Sequence, residues 1–281
     1  MIIWIASYPK SGNTWVRALL STILYSNNNE FKFESLEKIP QFPLRKHFSS
    51  FTEDYFNVQE ISKYWIMAQD KINLDNKVKI FKTHHARCVY KEREFTNLEN
   101  TLATIYIVRD PRNVITSISN YFLDSIENSK EFLFSSARHL GRSKNSPTEE
   151  NIYTVLGNWA DHYNSWKKFN VRNLLIVKYE DLLKNTKIEI EKILKFLSSY
   201  IQVEYSEKKI DNALNVTAFE NLKMLEKKEK LDNKLPFGEI SKSVNFFNLG
   251  KSNDWTKILD KNIASQISKK FEKEMKELYY L

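Results

Sequence analysis

The chain has 281 residues, 42% hydrophobic and 14% aromatic, which suits one large α/β domain, or less readily two small ones, with a substantial core. Its net charge of +8 suits an anionic ligand, but the lysines are scattered along helical stretches such as residues 223–230, with no basic and aromatic stripe for nucleic acid. Cys88 is the only cysteine, which excludes an internal disulfide and a cysteine-built zinc site, and no apolar run reaches the ~20 residues of a membrane span.

Residues 2–6 (IIWIA) form an unbroken apolar run, the pattern of a parallel strand buried on both faces. A core strand beginning almost at Met1 leaves no room for a targeting segment, so a cytoplasmic protein is expected. Residues 7–12 carry turn chemistry, with Pro9 fixing one φ and Gly12 able to take conformations that other residues avoid. From Asn13 onward, Trp15, Val16, Leu19, Leu20, Ile23 and Leu24 recur at helical spacing. A strand, turn and helix in this order aim backbone N–H groups and the positive helix end at one point, which suits a phosphate. Lys10 adds a charge beside them. The order YPKSGNTW puts the lysine before the glycine, so this is not a Walker A loop. Taken alone, the stretch reads equally well as a structural turn with an exposed lysine.

Residues 27–54 are polar at first, then Phe-rich, and read as a long loop with short helical pieces. Residues 61–70 look helical, and residues 77–83 (KVKIFKT) alternate as a second strand. This strand ends in KTHH, where alternation sends Lys82 and His84 to one side and His85 to the other. Ligands of open α/β sheets bind at such carboxyl ends, although a histidine there is often structural. Residues 101–108 (TLATIYIV) are the clearest buried strand; a turn at Asp110, Pro111 and Arg112 leads into a helix over 114–122. Arg109 at the strand end and Ser117 in the helix stand eight positions apart. Residues 124–150 read as a mobile cap or an ordinary surface excursion. In the helix that follows, Trp159, Tyr163 and Trp166 form a core stripe, with His162 structural. Residues 173–179 form another buried strand leading into a helix through Leu197, which Asp181 helps to start. A final helix is expected over residues 257–280.

Six separated elements between Tyr8 and Trp255 resemble, in order, those of cytosolic sulfotransferases that use 3′-phosphoadenosine 5′-phosphosulfate (PAPS). YPKSGNTW resembles their 5′-phosphosulfate loop, which assigns donor contacts to Lys10, Ser11, Gly12, Asn13 (in place of a usual threonine), Thr14 and Trp15. KTH matches the element whose histidine is the general base and whose lysine meets the transferring group, pointing to His84 and Lys82. Arg109 and Ser117 match the pair that holds the 3′-phosphate, and Tyr179 the tyrosine that reaches the adenine. VTAFENLKM resembles the threonine–serine–phenylalanine element, which brings Thr217 and Phe219 to the adenine, with Trp15 closing the other side. The last element, residues 245–255, departs most. Gly250 is kept, but Asn248 and Leu249 replace a basic pair and Asn253 a second glycine, leaving Lys251 or Lys242 as substitutes.

The resemblance implies one P-loop-type α/β domain over residues 1–281, with a central parallel sheet of about five strands and helices on both faces. It implies transfer of a sulfuryl group from PAPS to a hydroxyl or amine of a small-molecule, lipid or sugar acceptor, leaving adenosine 3′,5′-bisphosphate. No metal is expected, because Lys10, Lys82 and the loop amides supply the positive charge that Mg²⁺ supplies in phosphoryl transfer. Segments 27–60 and 123–150 would line the acceptor pocket. Nucleic acid and integral membrane contact are not expected, and oligomeric state and acceptor identity stay open. A kinase-like phosphotransferase would need a Walker-type lysine and a metal-binding aspartate after a strand. A non-catalytic relative gains support from Asn248 and Leu249, against the intact Lys10, Lys82 and His84.

Overall fold

The computed structural model describes residues 1–26, 30–141, 152–231 and 244–281. The strands β1 (Ile2–Ser7), β2 (Lys79–Thr83), β3 (Thr101–Val108) and β4 (Leu174–Lys178) form a sheet in the order β2-β1-β3-β4, with β1 paired in parallel to both neighbours. The sequence leads to about five strands; among the described residues this sheet has four, the four that the apolar patterns mark. The helices that carry the site are α1 (Asn13–Tyr25), α2 (Pro111–Phe122), α3 (Trp159–Lys167), α4 (Tyr179–Lys184) and α5 (Phe219–Leu231).

The chain forms two compact units, one of Met1–Tyr8, Ile39–Val108 and Ser135–Ile176, the other of Pro9–Lys38, Arg109–Phe134 and Val177–Leu281. In the first, every residue of β1 is buried, so the strand is apolar throughout rather than alternating. Trp4 centres its core, with the rings of Phe42, Phe81, Phe95 and Trp166 at 5.7, 6.2, 5.8 and 6.2 Å. Its indole N–H donates to Thr101 Oγ1 at 2.9 Å, so the ring is buried without an orphaned donor. Helix α3 starts at Asn158, whose side chain accepts from the Asp161 N–H, and buries the expected stripe of Trp159, Tyr163 and Trp166.

In the second unit, α2 begins at Pro111, earlier than the apolar pattern indicates. Asp110 caps it by accepting from the Arg112 N–H at 2.9 Å, and proline suits the first helical position. Ala18 of α1 packs with Phe31, Phe33, Leu36, Leu222 and Phe247, so the first aromatics of the Phe-rich segment are core side chains. The helix expected through Leu197 is interrupted at Asn185 and resumes as Thr186–Ser198, with Asp181 inside α4 rather than ahead of it. The expected final helix is three: Trp255–Ile258, Lys261–Lys270 and Glu272–Glu277. The break has a local cause, because the Asp260 side chain accepts from the N–H groups of Asn262 and Ile263 and starts a new helix. Among the described residues, no helix is long and apolar enough to cross a membrane.

Candidate active site

In the second unit, the turn ahead of α1 holds Lys10 at φ 66° and Gly12 at φ 98°, both in the left-handed region. Gly12 is required twice over. A side chain is strained at that φ, and a Cβ would stand 2.3 Å from Cδ2 of Tyr179. Glycine also leaves the start of α1 without a side-chain cap, and its first turn, from Asn13 and Thr14 onward, carries no acid. The positive helix end therefore keeps its unneutralised N–H groups. Beside it, Ser11 Oγ and Lys10 Nζ are buried and have no hydrogen-bond partner among the described residues.

Lys10 Nζ rests over the rings of Tyr121 and Phe246, 4.2 and 3.8 Å from their centroids. The Glu226 carboxylate accepts from the N–H groups of Phe246 and Phe247 at 2.6 and 2.9 Å, which holds the Phe246 ring there. Burial, and then the nearby Arg109 guanidinium, depress the Lys10 pKa from 10.5 to about 7, with Glu226 opposing. The full charge that the sequence suggests is thus reduced in the free protein and restored by an anionic partner. A buried ammonium and hydroxyl without hydrogen-bond partners among the described residues, next to an uncapped helix start, fit a phosphosulfate or phosphate group.

Arg109 links this turn to α2. Its Nη1 donates to Lys10 O at 3.0 Å and to Ser117 Oγ at 3.1 Å, so the two stretches that the resemblance assigns to the donor's phosphates are joined. The guanidinium lies 4.3 Å from the Tyr179 ring centroid, and Trp15 meets that ring edge-on at 6.0 Å. Trp15 Nε1 donates to Thr217 O at 3.1 Å, while the Thr217 hydroxyl donates to Ala213 O at 2.7 Å. Thr217 therefore contributes its carbonyl as a brace for Trp15. Phe219, at the start of α5, packs so tightly on Gly250 (φ 54°) that a Cβ there would meet the ring at 2.7 Å. Lys251 is exposed on the 3₁₀ turn Gly250–Ser252, and Lys242 lies outside the described residues. Asn253, unremarked in the sequence except as a departure, donates to Ser117 Oγ at 3.1 Å.

The first unit holds the other candidates. His84 Nδ1 lies 2.8 Å from Ser7 O, an acceptor only, so Nδ1 carries the proton and Nε2 the lone pair. Ser7 Oγ is 3.2 Å from the same nitrogen. His162 is the positioning partner: its Nε2 donates to His84 O at 3.0 Å, and its Nδ1 accepts from Tyr106 OH at 2.8 Å. Burial depresses the His162 pKa to about 4, so it holds this neutral tautomer. His85 goes the other way, fully buried and stacked on Phe95 at 3.9 Å, with burial depressing its pKa to about 3. Lys82 Nζ donates to Gln41 Oε1, and its backbone is bracketed by bonds to Pro40 O and Phe42 N. Gln41 sits in a loop without periodicity, so nothing in the sequence singles it out.

Against this geometry the comparisons are direct. Residues 2–279 match the sulfotransferase domain, and the chain belongs to that family. It is 25% identical to an amine sulfotransferase of Oryctolagus cuniculus, over 98% of this chain and 81% of that protein. It is 22% identical to a 3-alpha-hydroxysteroid sulfotransferase of Cavia porcellus, over 89% and 75%. The fold is similar to that of retinol dehydratase solved with androsterone and the inactive cofactor PAP, at a TM-score of 0.60 and 19% identity, over 98% of this chain and 80% of that one.

Proposed function

We propose that this sulfotransferase takes its sulfuryl group from PAPS and delivers it to a hydroxyl or amine of a small-molecule, lipid or sugar acceptor. The observation that carries the reading is the pair of buried groups with no hydrogen-bond partner among the described residues, Lys10 Nζ and Ser11 Oγ, at the uncapped start of α1. Lys10, Ser11 and the backbone of Gly12, Asn13 and Thr14 would hold the phosphosulfate end of the donor. Arg109 and Ser117 would hold its 3′-phosphate, with Trp15, Tyr179, Thr217, Phe219 and Gly250 around the base and Lys251 at the rim. Bound there, the donor supplies an activated sulfuryl group. His84 Nε2 takes the acceptor proton, and Ser7 O stabilises the imidazolium that results. Lys82, oriented by Gln41, adds positive charge where the group in transfer is most anionic.

The relatives that act on amines and hydroxysteroids support a hydroxyl or amine acceptor for this chain. A cytoplasmic location belongs to the same proposal, supported by the single cysteine. Two measurements test the reading: equilibrium binding of adenosine 3′,5′-bisphosphate against ATP, and transfer of labelled sulfate from PAPS in a screen of alcohols, amines and sugars. Preference for the bisphosphate and a labelled product are expected. Preference for ATP would instead support the kinase-like alternative, and tight bisphosphate binding without any labelled product the non-catalytic one.

A further inference from the structure

We infer that Asn253 is a positioning residue for the 3′-phosphate clasp, orienting the Ser117 hydroxyl as a donor toward the ligand; this rests on the donor reading above. Ser117 Oγ accepts from Arg109 Nη1 and from Asn253 Nδ2, each at 3.1 Å. A hydroxyl has two lone pairs and one proton. With both lone pairs engaged, the proton points away from both donors and is given to whatever lies beyond. Ser117 donates no hydrogen bond to a described residue. An acceptor-only group such as a phosphate oxygen completes it.

The Asn253 amide is itself fixed in one orientation. Nδ2 donates to Asn113 O at 3.0 Å, which can only accept, and Oδ1 accepts from Thr116 Oγ1 at 2.6 Å. Asn253 is buried, at 8% exposure, so water does not compete for these bonds. Trp255 N donates to Asn113 Oδ1 at 2.9 Å and ties the segment to α2 from the next residue but one. Position 253 is where the family resemblance has a glycine, and a glycine could not hold the serine in this way. Five and four residues earlier, Asn248 and Leu249 stand where that resemblance has basic side chains. The same segment that lacks the basic pair thus carries an amide that sharpens Ser117, so the clasp gains directionality where it lacks charge.

The experiment compares binding of adenosine 3′,5′-bisphosphate and adenosine 5′-monophosphate by titration calorimetry, below the melting temperature of each protein. The proteins are the wild type, Asn253→Ala, Asn253→Gly, Ser117→Ala and Ser117→Ala with Asn253→Ala. Wild type should prefer the bisphosphate. Each Asn253 variant should lose about five- to tenfold in bisphosphate affinity, with the monophosphate nearly unchanged. The double variant should fall no further than Ser117→Ala, because both changes remove one shared interaction. Equal loss for both ligands would show a purely structural role and overturn the inference, as would full additivity. A wild type that does not distinguish the two ligands would overturn the donor reading instead.

Discussion

With the donor held as proposed, Lys10 should give binding a steep dependence on pH. In the free protein, burial over Tyr121 and Phe246 depresses its pKa from 10.5 to about 7, with Arg109 adding to the effect and Glu226 opposing it. A bound phosphate pairs with the ammonium form, so above pH 7 binding takes up one proton. Linkage then makes the affinity for adenosine 3′,5′-bisphosphate fall by up to about tenfold per pH unit, and about twenty-five-fold between pH 7.5 and 9. The ligand does not produce this slope, because its phosphates lose their last protons near pH ~6. Below pH 7 Lys10 is already charged and its contribution flattens. The sign for stability runs the other way. Between about pH 7 and 10.5 the unfolded chain binds the proton that the folded chain releases, so the free protein gains stability from Lys10 as pH rises through that window. Calorimetry at pH 8 in two buffers of different ionisation enthalpy counts the protons taken up, and nearly one is expected. Lys10→Arg keeps the charge and should abolish the slope, while Lys10→Met should abolish it and weaken binding. A wild-type affinity that stays flat from pH 7.5 to 9, or a slope that survives in Lys10→Met, would refute the argument.

The two neighbouring histidines should behave differently. His84→Ala should lower kcat by about 10²- to 10⁴-fold while leaving bisphosphate affinity unchanged. His85→Ala, which empties a site stacked on Phe95 and edged by Trp65, should cost about 2 kcal/mol or more in denaturant unfolding. Its folded fraction should keep most of its turnover. Equal kinetic losses in the two variants would remove His84 as the base. Gly12→Ala drives a Cβ into Tyr179 at a φ that disfavours it, so bisphosphate binding and the melting temperature should both fall. Adding Tyr179→Ala should recover part of the melting temperature, since it removes the clash but not the backbone strain; no recovery at all would mean that the ring is not the obstacle.

Much of the frame was legible in the sequence because its causes are local. An apolar run marks β1, Pro9 and Gly12 mark the turn, and a helical repeat marks α1, all within one stretch of chain. Arg109 and Ser117 were paired by the family resemblance, with the spacing placing one at a strand end and the other two helical turns on, and the structure joins them at 3.1 Å. The breaks at Asn185 and Asp260 were not legible, because apolar spacing continues across both: at Asp260 a single side chain caps the new helix, and at Asn185 the backbone alone leaves the helical region, at φ −139° and ψ 59°.

Tertiary structure alone decided the chemistry of the individual groups. The protonation of Lys10 depends on burial against Tyr121 and Phe246, then on Arg109 and Glu226, all about a hundred residues away or more. The KTH resemblance points to His84, but the different surroundings of the two histidines come from Ser7 and His162 on one side and Phe95 and Trp65 on the other. Gly12 is needed for Tyr179 as well as for its own φ, Gln41 orients Lys82, and Asn253 orients Ser117. The physical reason is the same in each case. Periodicity and turn propensity are properties of neighbouring residues, whereas desolvation and hydrogen-bond orientation belong to groups that only folding brings together.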